Sequence, residues 1–236
     1  MGIIIFNGKS SEDLHILVQH PPEYAIPERE CEITHIPGRI GDLVVEKGSW
    51  ANVERVYKLG IDARESDYAD VASLVAQWLH TASGYARLED SYEPDYFRMA
   101  MYTGQINITN IYNQAGEFDA TFNCKPQRFL KSGEKPVRFD SNGKLRNPTS
   151  FSSEPIIKLT GYGTGNVKIG SYSFQTVNMV SGLIMDCDLE DAYYGQKNCN
   201  SQIVLDEIAR LDPGDNEITF SGGVTSVEII PRWWTL

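Results

Sequence analysis

The chain has 236 residues, enough for one large domain or two small ones, and its apolar and charged fractions are ordinary for a globular protein. Its net charge of −11 is shared by both halves: residues 1–132 carry 12 basic against 19 acidic side chains, and residues 133–236 carry 9 against 13. Neither half is built to hold DNA by neutralising phosphates, and no stretch approaches the roughly 20 apolar residues of a membrane-spanning helix.

The opening Met1-Gly-Ile-Ile-Ile-Phe-Asn-Gly-Lys lacks a basic leader, and its apolar run is too short for a signal peptide. Phe6 stands where a myristoylation motif wants Ser or Thr. The expectation is a protein made and folded in the cytoplasm. Cys31, Cys124, Cys187 and Cys199 show no Cys-x-x-Cys spacing, so buried free thiols are expected ahead of a Cys187–Cys199 bridge.

In chain order, a strand is predicted over 3–6, then an Asn7-Gly8 turn and a strand near 16–18. Pro21-Pro22 and Pro27 mark an extended connection. A hairpin follows, 30–35 and 42–46 around Pro37-Gly38-Arg39-Ile40-Gly41. The next strand, 52–59, places Val53, Arg55 and Tyr57 on one face and Glu54, Val56 and Lys58 on the other, a pattern that suits an edge or interface strand. One helix is predicted over 67–80, where Tyr68, Val71, Leu74, Val75, Trp78 and Leu79 recur at spacings of three and four. Ser66 is its expected N-cap, Asp67 and Asp70 suit the positive end of its dipole, and Ser83-Gly84 closes it. Strands resume at 85–88, 96–103, 105–112 and 117–125.

The stretch 126–155 is polar and turn-rich and marks the domain boundary, giving domains 1–132 and 133–236. Strands then follow at 156–160, 166–169, 172–177, 182–188, 203–205, 217–220 and 224–230. Gly222-Gly223 reads as the turn of the last hairpin, and Pro231, with no amide hydrogen, ends the ladder. Short strands with regular turns predict an antiparallel sandwich. The fold class is therefore mainly β, with one covering α-helix in the first domain and a β-sandwich as the second.

No catalytic constellation stands out. Gly161-Tyr-Gly-Thr-Gly165 resembles a phosphate loop, but the alternating Asn166-Val-Lys-Ile after it is a strand pattern, so a hairpin turn is expected. Asp186, Asp188, Glu190 and Asp191 lack the glycine turn of a calcium loop and read as an acidic, solvated strand end. Glu89 and Asp90, adjacent on a strand, point to opposite faces and make a poor glycosidase pair. The histidines lack zinc spacing, Ser132-Gly-Glu-Lys135 lies in the turn-rich stretch, and no cofactor or metal site is expected. The remaining candidates are Tyr193, Tyr194, Trp233 and Trp234, as a platform for sugar rings or as a core or subunit contact.

At this point the residues match a known family. Phe6-Asn-Gly-Lys-Ser, Ile36-Pro-Gly-Arg-Ile-Gly-Asp-Leu43, Trp78-Leu79, Ser91-Tyr-Glu-Pro-Asp-Tyr96 and Phe122-Asn-Cys-Lys-Pro-Gln127 come in order in the first half. Asn147-Pro-Thr, Glu154-Pro-Ile-Ile-Lys-Leu-Thr-Gly161, Asp191-Ala-Tyr193, Pro213-Gly-Asp-Asn-Glu-Ile-Thr-Phe220 and Pro231-Arg-Trp-Trp234 follow in the second. In this order the chain resembles, over nearly its full length, the distal tail proteins (Dit) of long-tailed bacteriophages.

The resemblance implies a non-enzymatic structural hub of the phage tail tip or baseplate. The first domain would form a hexameric ring at the end of the tail tube, and the second would be a galectin-like sandwich on its outside. The ring would join the tail tube protein to the tail-associated fibre or lysin protein and could seat receptor-binding proteins. It would reside in the virion after assembly in the host cytoplasm. DNA would pass through without specific binding, and no membrane insertion is implied. The alternative is a carbohydrate-binding β-sandwich module that contacts the host surface. The second half shows no large insertion of the kind an added carbohydrate-binding module would make.

Overall fold

The structure, a computed structural model, describes residues 2–64, 67–111 and 114–236. It is mainly β with one α-helix, and it forms two compact units: Met1–Arg128 with Leu236, and Phe129–Thr235. The units part between Arg128 and Phe129, inside a strand, whereas the change in composition had placed the division after residue 132.

The first unit is built on strands β1 (Ile4–Phe6), β2 (Lys9–Ser10), β3 (Ile16–Val18), β4 (Arg29–Thr34), β5 (Leu43–Trp50) and β6 (Val53–Asp62). Helix α1 (Tyr68–His80) follows, then β7 (Ala86–Asp90), β8 (Tyr96–Tyr102), β9 (Thr109–Ile111) and β10 (Ala115–Leu130). The sheet order is β2-β1-β7-β8-β10-β6-β3, with β9 also beside β10. The Asn7-Gly8 turn has both residues at positive φ, 50° and 77°, as the tight β1–β2 hairpin requires. Gly2, just ahead of β1, pairs with Val18 of β3, so the sheet curls until its two ends meet. Inside the curl lie Ile4, Phe6, Ile16, Tyr57, Leu59, Leu88 and Phe122. Helix α1 presents Val71, Val75, Trp78 and Leu79 to this core, and the Trp78 indole N–H donates to the Phe6 carbonyl at 3.2 Å.

Some sequence expectations are corrected here. The N-cap of α1 is Asp67, whose carboxylate accepts from the Ala69 amide at 2.8 Å; Ser66, the expected cap, lies outside the described residues. Strand β6 is interior, paired to β10 along one side and to β3 on the other, and not at an edge. Its mixed pattern arises because Arg55 is buried among the apolar residues of its inner face. The strand expected over 105–112 is reduced to β9, and its last position, Tyr112, lies outside the described residues.

The second unit contains β11 (Val137–Phe139), β12 (Gly143–Asn147), β13 (Ile156–Ile169), β14 (Tyr172–Met179) and β15 (Gly182–Asp186). It continues through β16 (Asp191–Tyr194), β17 (Lys197–Asn198), β18 (Ile203–Leu205), β19 (Gly214–Ile230) and β20 (Trp234–Thr235). The turn-rich stretch thus holds two real strands, β11 and β12, each ordered by pairing with the distant β19.

The spine is the antiparallel pair β13–β19. Gly161–Gly165 was expected to be a hairpin turn, and Gly222-Gly223 likewise; instead both strands run straight through their glycines. Gly161 pairs with Val224 and Gly165 with Gly222, so residues 162–164 bulge opposite Gly223. The backbones touch there: a Cβ on Gly223 would lie 1.9 Å from the Tyr162 carbonyl oxygen. On one side of the bulge β13 is flanked by β15 and β19 by β11; on the other side the flanking strands are β14 and β12. The bulge lets one long sheet fold around a single core of Ile157, Leu159, Val167, Ile169, Ile218, Val227 and Ile229.

Candidate functional site

Two features of the first unit stand out, a projecting arm and a buried charge network. The arm is β4–β5, which form their own two-stranded sheet, in register from Thr34–Leu43 to Arg29–Trp50. It contributes nothing to the core: every residue of β4, and all of β5 except Trp50, is exposed. Its own polar pairs hold it together. Arg29 meets Glu46 at 2.6 Å and lies over the Trp50 ring at 4.8 Å, and His35 meets Asp42 at 3.0 Å beside the tip. Exposed pairs of this kind are worth at most about 1 kcal/mol each. A two-stranded hairpin in water is marginal, and a long exposed one is a template for association. Yet Ile33, Val44 and Val45 point into solvent along the arm, and Ile40 at the tip is 103% exposed. Among the described residues, nothing covers these apolar side chains of the arm.

The charge network is the opposite case. Asp90, at the end of β7, accepts from Arg55 at 2.8 Å and from the Tyr57 hydroxyl at 2.7 Å, and both Arg55 and Asp90 side chains are 4% exposed. Glu93 joins three arginines: Arg55 at 2.9 Å, Arg98 at 3.1 Å and Arg128 at 2.6 Å. Arg128 also donates to the Leu236 carbonyl at 2.7 Å and lies between the rings of Tyr24 and Tyr96. Burial alone would raise the Asp90 carboxyl, but the Tyr57 hydrogen bond and the Arg55 charge outweigh it and hold it below its ordinary value. Burial also opposes the Arg55 charge, and the Tyr57 and Asp90 partners more than reverse that. The Tyr57 hydroxyl is pushed well up, first by burial and then by the Asp90 charge. This arrangement locks the charges against one another.

Sequence reasoning set Glu89 and Asp90 aside as a catalytic pair and missed the role of Asp90. A signal existed, because Arg55 shares a strand face with Val53 and Tyr57, and a cation on an apolar face requires a buried anion.

The four aromatic candidates all lie in the second unit and are not equivalent. Trp233 is 5% exposed and belongs to the core. Its carbonyl accepts from the Leu130 amide at 2.8 Å, and Gly133 lies against its backbone. Trp234 stacks on Phe151 at 4.5 Å and donates its indole N–H to the Ser152 carbonyl at 3.0 Å. On β16, Tyr193 is half-buried and Tyr194 is 50% exposed, its ring over Gly182. Among the described residues no ring contact or hydrogen bond joins the tyrosines to the tryptophans.

The acidic run also departs from expectation. Asp186 is buried and bonded through both carboxylate oxygens to Arg232, at 2.6 and 2.9 Å, so it is no solvated strand end. Arg232 adopts φ 56° to reach it. All four cysteines are free, and Cys31 on the arm is exposed, contrary to the expectation of burial. Burial pushes the Cys124 thiol up to about 11 and the Cys187 thiol up to about 12, so both stay protonated. Among the described residues no group of His, Cys, Asp and Glu is arranged to hold a metal ion, and no helix is long and apolar enough to cross a membrane.

No protein-family model matches the chain, and no curated protein matches it. Among solved structures it is similar to the SPP1 Dit (gp 19.1) protein, whose crystal structure is described as a paradigm of the hub adsorption apparatus in phages infecting Gram-positive hosts. The similarity covers 100% of both chains, with a TM-score of 0.78 and 13% identity. The chain therefore has the fold of a distal tail protein, as the resemblance in sequence implied.

Proposed function

We propose that this chain is a distal tail protein, a non-enzymatic subunit of the hub at the tip of a bacteriophage tail. The observation that carries the reading is the shared fold, which runs the whole length of both chains. The arm supports it, because a hairpin that leaves Ile33, Ile40, Val44 and Val45 uncovered in one chain finds cover for them in an assembly. In this reading six copies form a ring through the first unit, and the second unit is a galectin-like sandwich. The ring joins the tail tube to the fibre or lysin hub and offers a seat to receptor-binding proteins in the virion. An acidic protein also suits a passage for DNA, since a wall without excess cations does not capture phosphates.

Of the aromatic candidates, Tyr194 is the one free to meet a partner, and Trp233 serves the core. Light scattering on the purified protein tests the ring. A mass six times that of the chain is expected, and a single-chain mass at every concentration would count against it.

A further inference from the structure

We propose that an open groove on the outer face of the second unit binds a short, uncharged oligosaccharide. None of the tyrosine and tryptophan candidates lines this groove, and nothing in it depends on how copies of the chain assemble.

The groove crosses β18, β14, β13 and β19, which neighbour one another in that order, and it encloses about 500 Å³. Strand alternation makes it polar. Val167, Ile169, Phe174 and Ile218 turn into the core, which leaves Asn166, Lys168, Ser173, Gln175 and Thr219 on the outer face. Register sets these side chains in two rows. Gln175, Asn166 and Ser221 lie abreast, and so do Ser173, Lys168 and Thr219. With strands about 4.8 Å apart, the four span roughly 14 Å, room for a short chain of sugar rings.

The face differs from an ordinary solvated one. On the other half of the same two long strands, Lys158 pairs with Glu228 across the ladder at 2.8 Å. In the groove, Lys168 and Asp206 have no ion-pair partner among the described residues. The hydroxyls of Ser173, Thr219 and Ser221 are likewise without hydrogen-bond partners among those residues. The amides are half-engaged. The Gln175 NH2 donates to the Asn166 side-chain carbonyl at 3.2 Å, and the Asn142 side-chain carbonyl accepts from the Phe220 backbone amide at 3.0 Å. Each bond holds a side chain in place, and together they leave the Gln175 carbonyl and the Asn166 and Asn142 NH2 groups open. Donors and acceptors fixed in advance cost a ligand less ordering.

These groups select the ligand class. Amides and hydroxyls set side by side match the neighbouring hydroxyls of a sugar, each of which both donates and accepts. The lining holds one cation and one anion, so it carries no net charge and does not capture a polyanion. Exposed Val204 and half-buried Phe220 offer apolar surface to the C–H face of a ring. A protein partner would find no large apolar centre of the kind that anchors an interface.

The test is ligand-observed saturation-transfer NMR on the full-length chain, which reads weak binding whatever the size of the assembly. The probes are cellotriose, chitotriose and galactotriose, with a heparin oligosaccharide as the anionic control. At least one neutral trisaccharide should bind with a Kd of about 1 mM or tighter, and the control should not bind. Asn166→Ala combined with Gln175→Ala should raise that Kd by about tenfold or more. Both positions lie on the surface, so the unfolding midpoint and the mass by light scattering should not move. No binding by any neutral trisaccharide, binding by the heparin oligosaccharide alone, or binding that survives the double substitution overturns the proposal. Binding lost on Tyr194→Ala and kept by the double variant also overturns it and moves the sugar to the aromatic candidates. The mass of the wild type in the same samples tests the ring separately, so either reading can fail without the other.

Discussion

Asp90 shows how much one residue carries in the first unit. Its carboxylate is buried against Arg55 and Tyr57, so Asp90→Asn leaves the Arg55 cation under-compensated and should destabilise the chain by about 3–5 kcal/mol, read by chemical denaturation. The pH dependence has a definite sign. The folded carboxyl is held below its unfolded value near 3.9, so its stabilisation is complete above that pH and is lost as pH falls through the lower folded value. The wild type should lose stability more steeply than Asp90→Asn below about pH 4; parallel curves would refute the assignment. In the second unit, Trp233→Ala should cost about 3–5 kcal/mol by emptying a core site. Tyr194→Ala, at an exposed position, should stay within about 0.5 kcal/mol in the isolated chain. A large loss from Tyr194→Ala with none from Trp233→Ala would reverse these roles.

Among the elements, those set by local patterns were the legible ones. Helix α1 follows from apolar residues at spacings of three and four, and the arm follows from two strand runs around Pro37-Gly38 and Gly41. The continuity of β13 and β19 was not legible. A glycine pair reads locally as a turn, and only the partner strand, far away in sequence, supplies the ladder that keeps the chain extended. The same holds for β11 and β12, whose turn-rich residues are ordered by β19, and for Asp186, whose partner Arg232 lies 46 residues on. The glycine bulge is open to direct test. Gly223→Ala places a methyl on the Tyr162 carbonyl and should cost about 1–3 kcal/mol or more in thermal unfolding, whereas Tyr162→Ala on the exposed side should be near neutral. Equal effects would mean that the close approach is not what holds the bend. The arm should behave in the opposite way. Replacing residues 31–46 by a two-residue Asn-Gly turn removes nothing from the core, so the melting temperature should hold while assembly is lost. A collapse of the fold would show that the arm is structural after all.

At the scale of the whole molecule, the fold class, the helix and the resemblance to distal tail proteins were legible because they rest on many weak local signals in a consistent order. The exposure of the arm was less so. The hairpin was visible in sequence, but its lack of any cover within the chain was not, because exposure depends on what the rest of the fold leaves uncovered. The aromatic pairs drew attention through residue type alone, and burial then separated Trp233 from Tyr194. Two well-formed cores, each with a buried ion pair, and an arm that leaves Ile33, Ile40, Val44 and Val45 exposed fit the proposal that copies of the chain join one another. The most direct test is an electron-microscope image of the purified full-length chain. The account predicts closed rings with six-fold symmetry; a field of particles the size of a single chain at every concentration would contradict it.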